Sequence, residues 1–337
     1  MAINIELFTK AINDNLFQAN PMLNTGTDHS QYVSYYGSDG SEKSAAIVHV
    51  PSAGAVPTIA KNRSSFPITA VQRTDVDLTY NVNTYDAGVW YLTPQEAMTV
   101  AYDKASSLVR EQINQVGETI GNQTLYAWAP VSATTYGVTR ILRTTGALDN
   151  SALASGATGS RSAITLSDFA KAKNMLDNDR MPMDGERFFV IPSSMWNGQV
   201  LQLANITQFL QLGSTTGLQE GTVTPQSIPG WVGRIYGFNV LERPTVVTYT
   251  TGATPSLIAI GDNGVQTTSN VTDNLGAVFY HKIAVSNAIG KSILSYNANR
   301  AEYGGGNLFY AAVRHGAAQI RYSMTNGQLG VGAVVQQ

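Results

Sequence analysis

The sequence predicts an α+β fold, and three observations predict it. Branched and aromatic residues crowd the region before residue 92, a capped helical pattern follows directly, and short strands and helices then alternate between glycine breaks. With 337 residues and 43% hydrophobic content, the chain has ample material for a core of one large unit or two domains. No repeat of fixed period occurs.

The elements follow in order. Residues 1–17 space Ile3, Ile5, Leu7, Phe8, Ile12, Leu16 and Phe17 in a helix-like manner. Residues 18–44 are polar, with Tyr32, Tyr35 and Tyr36 clustered, and read as an extended arm rather than a folded unit. "AAIVHV" and "FPITAVQRTDVDLTYNVNTY" are strand-like runs on either side of the polar connector "PSAGAVPTIAKNRSS", which makes residues 45–92 a projecting hairpin. Such a hairpin is marginal alone in water. Thr93-Pro94-Gln95-Glu96 combines a capping box with proline at the first helical position and opens a helix over 93–122. Met98, Ala101, Ala105, Leu108, Val109, Gln112, Ile113, Val116 and Ile120 line one face, and Gly117 and Gly121 weaken the far end.

Beyond it, "VTRILRT" is a short candidate strand, and "TLSDFAKAKNMLDND" a helix capped by Thr165 or Ser167 with Leu166, Phe169, Ala172 and Leu176 inward. "DGERFFVIP" reads as a turn and a buried strand, and "SSMWNGQVLQL" as a capped helix. "GWVGRIYGFNVLERP" gives two strands about Gly237, and "PSLIAIGD" another buried strand. "AVFYHKIAV", "GNLFYAAVRHG" and "GVGAVV" close the chain as strand-like runs.

Composition excludes several function classes. The chain contains no cysteine, so disulfides, zinc ribbons and thiol catalysis are ruled out together. A net charge of −2 gives none of the basic excess of a nucleic-acid reader. The amphipathic start carries acidic residues, unlike a signal peptide, and the apolar runs are too short for a membrane span, so no membrane partner is expected. Charged residues make up 13%, against about 25% in ordinary soluble domains. A surface short of charge repels other copies of itself weakly, which points to assembly.

The motif search leaves no catalyst, no cofactor site and no metal site. Gly290-Lys291-Ser292 has Val285 where a phosphate-binding loop needs its first glycine, so it reads as a turn. His29, His49, His281 and His315 lack a second ligand at i+3 or i+4. The pairs Asp75/Asp77 and Asp177/Asp179 read as solvated or capping groups, and Arg140, Arg143, Lys171 and Lys173 as solvated cations. "GSRSA" at 159–163 misses a nucleophile elbow by one glycine, and "YGGGN" at 303–307 reads as a turn. Sequons at Asn62, Asn122, Asn205 and Asn270 are no more than chance supplies in so Asn-, Ser- and Thr-rich a chain.

The order of arm, hairpin, long capped helix, mixed body and return strands resembles the major capsid proteins of tailed bacteriophages, the Hong Kong 97-type fold. "RFFVIPSSMWNGQVLQL" is similar to the family's strand, proline and short helix, and "GRIYGFNVLERP" to its Gly-x-x-x-Gly-x-x-Val turn. The closing region, with "AVFYHKIAV", "NRAEY" and "AAVRHGAAQIR", is similar to that of short-tailed phages, where His281-Lys282 lies on a returning strand. The resemblance implies an N-terminal arm (1–44), an E-loop hairpin (45–92) and a P-domain (93–165) with its spine helix. An A-domain (166–283) and returning P-domain strands (284–337) complete it. It further implies a non-enzymatic coat protein of the virion, assembled in the host cytoplasm into pentamers and hexamers around double-stranded DNA. Portal, scaffolding and decoration proteins are the implied partners. With Met1 in place, maturation by removal of a long N-terminal propeptide is not expected. An encapsulin-type compartment shares the fold, and a β-rich adhesin or tail component is the alternative from another class.

Overall fold

The computed structural model describes residues 20–36, 45–52, 61–64, 76–93, 104–131, 140–203, 230–267, 270–290, 293–300, 302, 305–323 and 327–337. Strands β1 (Thr27–Asp28), β2 (Val33–Tyr36), β3 (Ala45–Ser52) and β4 (Val76–Leu92) precede helix α1 (Lys104–Trp128). Then come β5 (Ile141–Arg143), β6 (Leu148–Asp149), β7 (Arg161–Ser162), helix α2 (Leu166–Asn178) and β8 (Arg187–Pro192). Strands β9 (Trp231–Ile235), β10 (Phe238–Arg243), β11 (Thr248–Tyr249), β12 (Asn274–His281) and β13 (Val285–Ile289) follow. The chain closes with β14 (Ile293–Arg300), β15 (Gly306–Gln319), β16 (Tyr322–Ser323), β17 (Gly327–Gln328) and β18 (Val331–Val335). The chain is α+β, with few helices and many strands.

Two large sheets organise it. The first runs β1-β13-β15-β4-β3-β2, with β14 also on β15. The expected hairpin is present: β3 and β4 pair antiparallel from Ala46↔Val82 to Ser52↔Val76. Its base does not stand free, because β4 continues along β15 from Asn83↔His315 to Leu92↔Asn307. The second sheet runs β5-β18-β12-β8-β10-β9, so residues 141–143, 187–192 and 331–335 share one sheet although they fall in three of the expected segments. Both of its faces are covered. Phe189, Ile191, Val240, Phe279 and Val334 join α2 residues Phe169, Ala172 and Leu176 on one side. Phe188, Val190, Leu241, Val278, Tyr280 and Val335 join Leu125 and Trp128 of α1 on the other. A strand buried on both faces reads as a continuous apolar run, as "FFVI" does within β8.

Helix α1 joins the two cores. Ile113, Val116 and Ile120 pack on Ala311 and Val313 of the first sheet, and Leu125 and Trp128 on the second. At about 1.5 Å per residue its 25 residues span about 37 Å. The expected start, Thr93-Pro94-Gln95-Glu96, lies largely outside the described residues. The expected end at 122 is corrected to Trp128. Gly117 and Gly121 do not stop the helix, because they let other groups approach its backbone. Asn20 donates to the Gly117 carbonyl and Arg243 to the Gly121 carbonyl, and a Cβ on Gly121 would collide with both side chains.

Other expectations need correction. Residues 20–36, read as arm, are built into the body. Met22 and Leu23 are buried, β1 pairs with β13, and Asn287 donates to the Leu23 carbonyl at 2.5 Å. "PSLIAIGD" forms only single bridges, Leu257 to Tyr249 and Ile260 to Gln266, since Gln266 bonds the Thr248 N–H and the Ile258 carbonyl itself. "AVFYHKIAV" is not one strand. It breaks at a 3₁₀ turn over Lys282–Ala284, where His281 accepts from the Ile283 N–H at 3.2 Å, and its halves enter different sheets. "SSMWNGQVLQL" forms one α-turn that widens into a π-turn over Trp196–Val200 with no side-chain cap, rather than a capped helix. The helix at 165–178 is as expected, with the buried Asp168 carboxylate accepting from the Thr165 N–H at 3.0 Å. Tyr236 and Gly237, both with positive φ, turn β9 into β10. Residues 1–17, Lys291 and Ser292 lie outside the described residues.

Candidate assembly surface

The polar residues singled out in the sequence are mostly structural. Asp179 is the C-cap of α2, as one of the two readings had it, and is buried against Arg140 at 2.5 Å, whereas Asp177 is 31% exposed and meets Arg187 at 2.7 Å. Asp179 also accepts the Gly330 N–H at 2.8 Å, which ties the end of α2 to the turn before β18. Arg140 is likewise no solvated cation, being buried in that pair. Arg143 donates to the Gln336 and Gly252 carbonyls, and burial lowers its pKa. Lys171 meets Asp168 at 3.3 Å. Asn122 accepts from Arg243 at 2.9 Å. Arg243 lines a cavity of about 480 Å³ with Asn20, Asn114 and Glu118, and burial pushes its pKa down to about 10.

The four histidines are scattered. His49 meets Asp77 at 2.9 Å on the exposed hairpin. His281 is fully buried. Because its Nδ1 accepts from Ile283, its Nε2 carries the proton and donates to Asp184 at 3.1 Å. Partial burial pushes the Asp184 carboxyl up, but the Glu186 N–H and His281 together hold it below its ordinary value. His29 packs edge-on to Tyr32, and burial lowers its pKa. Among the described residues no three His, Cys, Asp or Glu side chains could jointly hold a metal, and no helix is long and apolar enough to cross a membrane.

His315 sits in the middle of the first sheet with its Nε2 unbonded among the described residues, and burial lowers its pKa to about 4. The charged form is therefore disfavoured in the fold relative to the unfolded chain, where the value is near 6.5. Stability from this group is complete above pH 6.5 and is lost as pH falls toward 4, by about 3 kcal/mol in all. His315→Gln should flatten the fall in thermal midpoint over that window relative to the parent. Parallel pH profiles for the two proteins would contradict the assignment.

The surface is where chemistry remains. Lys61, Asn62, Arg63 and Ser64 at the hairpin tip are all exposed, and Asn62 adopts a left-handed turn conformation at φ 52°. Tyr32 and Tyr35 are exposed beside the hairpin, with the Arg314 guanidinium 5.5 Å from the Tyr35 ring centroid. Val89, Trp90 and Tyr91 are exposed near the other end of β4. The sequence reading missed this second patch, although a glycine inside a strand pattern, here Gly88, signals a bulge.

The architecture has counterparts among solved structures. It superposes on the capsid of Ralstonia phage GP4 with a TM-score of 0.59 at 12% identity, over 92% of this chain and 86% of that one. The capsid of cyanophage P-SCSP1u matches with a TM-score of 0.55 at 13% identity, over 92% and 85%. This is the fold of bacteriophage capsid proteins. The mature capsid of bacteriophage PhiM1 gives a TM-score of 0.50 at 13% identity, over 87% and 82%. No protein-family model and no curated protein matches the sequence.

Proposed function

We propose that this chain is the major capsid protein of a tailed bacteriophage. In this reading it assembles without catalysis into pentamers and hexamers of an icosahedral head that encloses double-stranded DNA. The observation that carries it is the match in fold over 92% of the chain to a phage capsid chain that is itself 86% covered. Low charge adds to it, since most of a coat protein's perimeter is interface. In this reading 45–92 are the E-loop, 93–165 the P-domain with its spine helix, 166–283 the A-domain and 284–337 the returning strands, while residues 20–36 belong to the body. The near-neutral chain suits a lining that does not grip phosphate, because strong binding would hinder packing and release of DNA. Portal, scaffolding and decoration proteins would be its partners, the host cytoplasm its place of assembly and the virion its destination.

The hairpin provides the test. Loop-closure entropy varies slowly with length, so replacing Ser52–Ser65 by a short Gly-Ser turn should leave circular dichroism and the thermal midpoint near normal. Sedimentation and electron microscopy should then show monomers or isolated capsomers where the parent builds closed shells. Normal shells from the shortened chain would remove the E-loop role. A parent that never forms shells would remove the capsid reading, and enzyme cargo instead of DNA in purified particles would favour a cellular compartment of the same fold.

A further inference from the structure

The chain passes from the second sheet to the first through one short turn. Strand β12 ends at His281, the 3₁₀ turn Lys282–Ala284 follows, and β13 begins at Val285. His281 holds that passage with both ring nitrogens. Nδ1 accepts the Ile283 N–H at 3.2 Å, and Nε2 donates to Asp184 at 3.1 Å. The ring is fully buried, whereas Asp184 is 39% exposed. Only a neutral ring can serve both partners, because an imidazolium has two donors and no acceptor.

The charged groups facing the ring come from several elements. Asp184 and Glu186 stand on the turn before β8, and Arg187 lies across from His281 on β8, already engaged with Asp177. Lys282 on the ring's own turn is tied to Glu186 at 3.0 Å. The Gly330 carbonyl accepts the His281 N–H at 2.9 Å, and behind it Asp179, paired with Arg140, accepts the Gly330 N–H.

We propose that His281 is an acid-sensitive latch on the joint between the two sheets. Uptake of a second proton turns Nδ1 into a donor aimed at the Ile283 N–H, while the Nε2 bond to Asp184 becomes an ion pair. The carboxylate keeps the ring in place, so the turn has to give way. With the ring shut away from water, the two opposed donors have no other acceptor to share. Ile283 is 42% exposed, so little packing holds its backbone once the bond is lost. The Lys282 and Ala284 carbonyls keep their bonds from Thr27 at 3.0 Å and Ile320 at 2.9 Å. Release is thereby confined to the middle of the turn, and the joint loosens without the sheets coming apart.

The latch does not depend on the coat-protein reading, and its test needs no shells. Amide-resolved hydrogen exchange on the full chain compares protection of the Ile283 N–H with that of the Gly276 N–H, which donates to the Val247 carbonyl at 2.9 Å. Both amides share any loss of global stability, including that from His315, so their ratio isolates the turn. It should fall about tenfold or more between about pH 8 and about pH 5, the range in which imidazoles titrate. His281→Asn puts a carbonyl oxygen where Nδ1 lies, and its ratio should stay constant. Asp184→Asn keeps an acceptor for Nε2 but removes the charge that favours the imidazolium, so its fall should come at lower pH. That variant alters a partly exposed side chain and decides the matter if His281→Asn does not fold. A constant ratio in the parent, an undiminished fall in His281→Asn, or coincident profiles for the parent and Asp184→Asn would each refute the latch.

Discussion

Phe189→Ala is expected to leave nearly all of the protein insoluble. Phe189 is fully buried at the centre of the second sheet, with ring centroids of Phe169, Phe238 and Phe279 at 4.6, 5.7 and 6.0 Å. Removing an enclosed phenyl ring costs about 3–5 kcal/mol, from the lost transfer free energy and the cavity together. A domain is held by only about 5–15 kcal/mol, so the residue is a large share of the total. The three surrounding rings come from α2, β10 and β12, and none can move into the gap without abandoning its own strand or helix. Arg110→Ala, on the exposed side of α1, should change the denaturant midpoint negligibly. Equal solubility and equal midpoints for the two variants would mean that the sheet is not packed as described.

Asp179→Ala should be nearly as damaging, for an electrostatic reason. The Arg140 and Asp179 side chains are 4% and 7% exposed, so loss of the carboxylate removes the ionic partner of a buried guanidinium. Breaking a buried pair from one side costs about 3–5 kcal/mol, mostly as the desolvation of the charge left behind. The Gly330 N–H loses its acceptor as well. Asp177→Ala is the informative comparison. Asp177 is 31% exposed, and its partner Arg187 keeps the Met181 and Pro182 carbonyls. Its cost in chemical denaturation should be clearly smaller, and equal losses for the two aspartates would argue against the burial difference.

These two sites differ in how far the sequence reveals them. The strand of Phe189 is legible because the apolar run Phe188–Ile191 between a turn and a proline has few other fates, and α2 because a capping residue at Thr165 precedes Leu166, Phe169, Ala172 and Leu176 on one face. Gly237 likewise announces its turn. The pairs Arg140–Asp179 and Arg187–Asp177 are invisible, because periodicity reports which face of an element is apolar and not which distant residue meets it. The same limit hides the break at Lys282. It depends on His281 accepting a backbone N–H, while the composition around it continues to read as strand. Gly121 carries the opposite lesson. Local propensity counts a helix glycine as a weakness, whereas here tertiary contacts from Asn20 and Arg243 require it. The outward patch was partly legible, in the glycine within "DAGVWYL", but its direction depends on a count of residues across two strands.

The position of β18 has a consequence for synthesis. It lies between β5 and β12, with Ala333 beside both Ile141 and Val278, so residue 141 waits for residue 333 before the sheet can close. At about 5–20 residues per second, a ribosome needs roughly 10–40 s to make the intervening chain. Until residue 333 arrives, the edge of β5, and that of β12 once it has been made, lacks the strand that pairs with it, and a chain in that state is a client for chaperones that bind exposed strands.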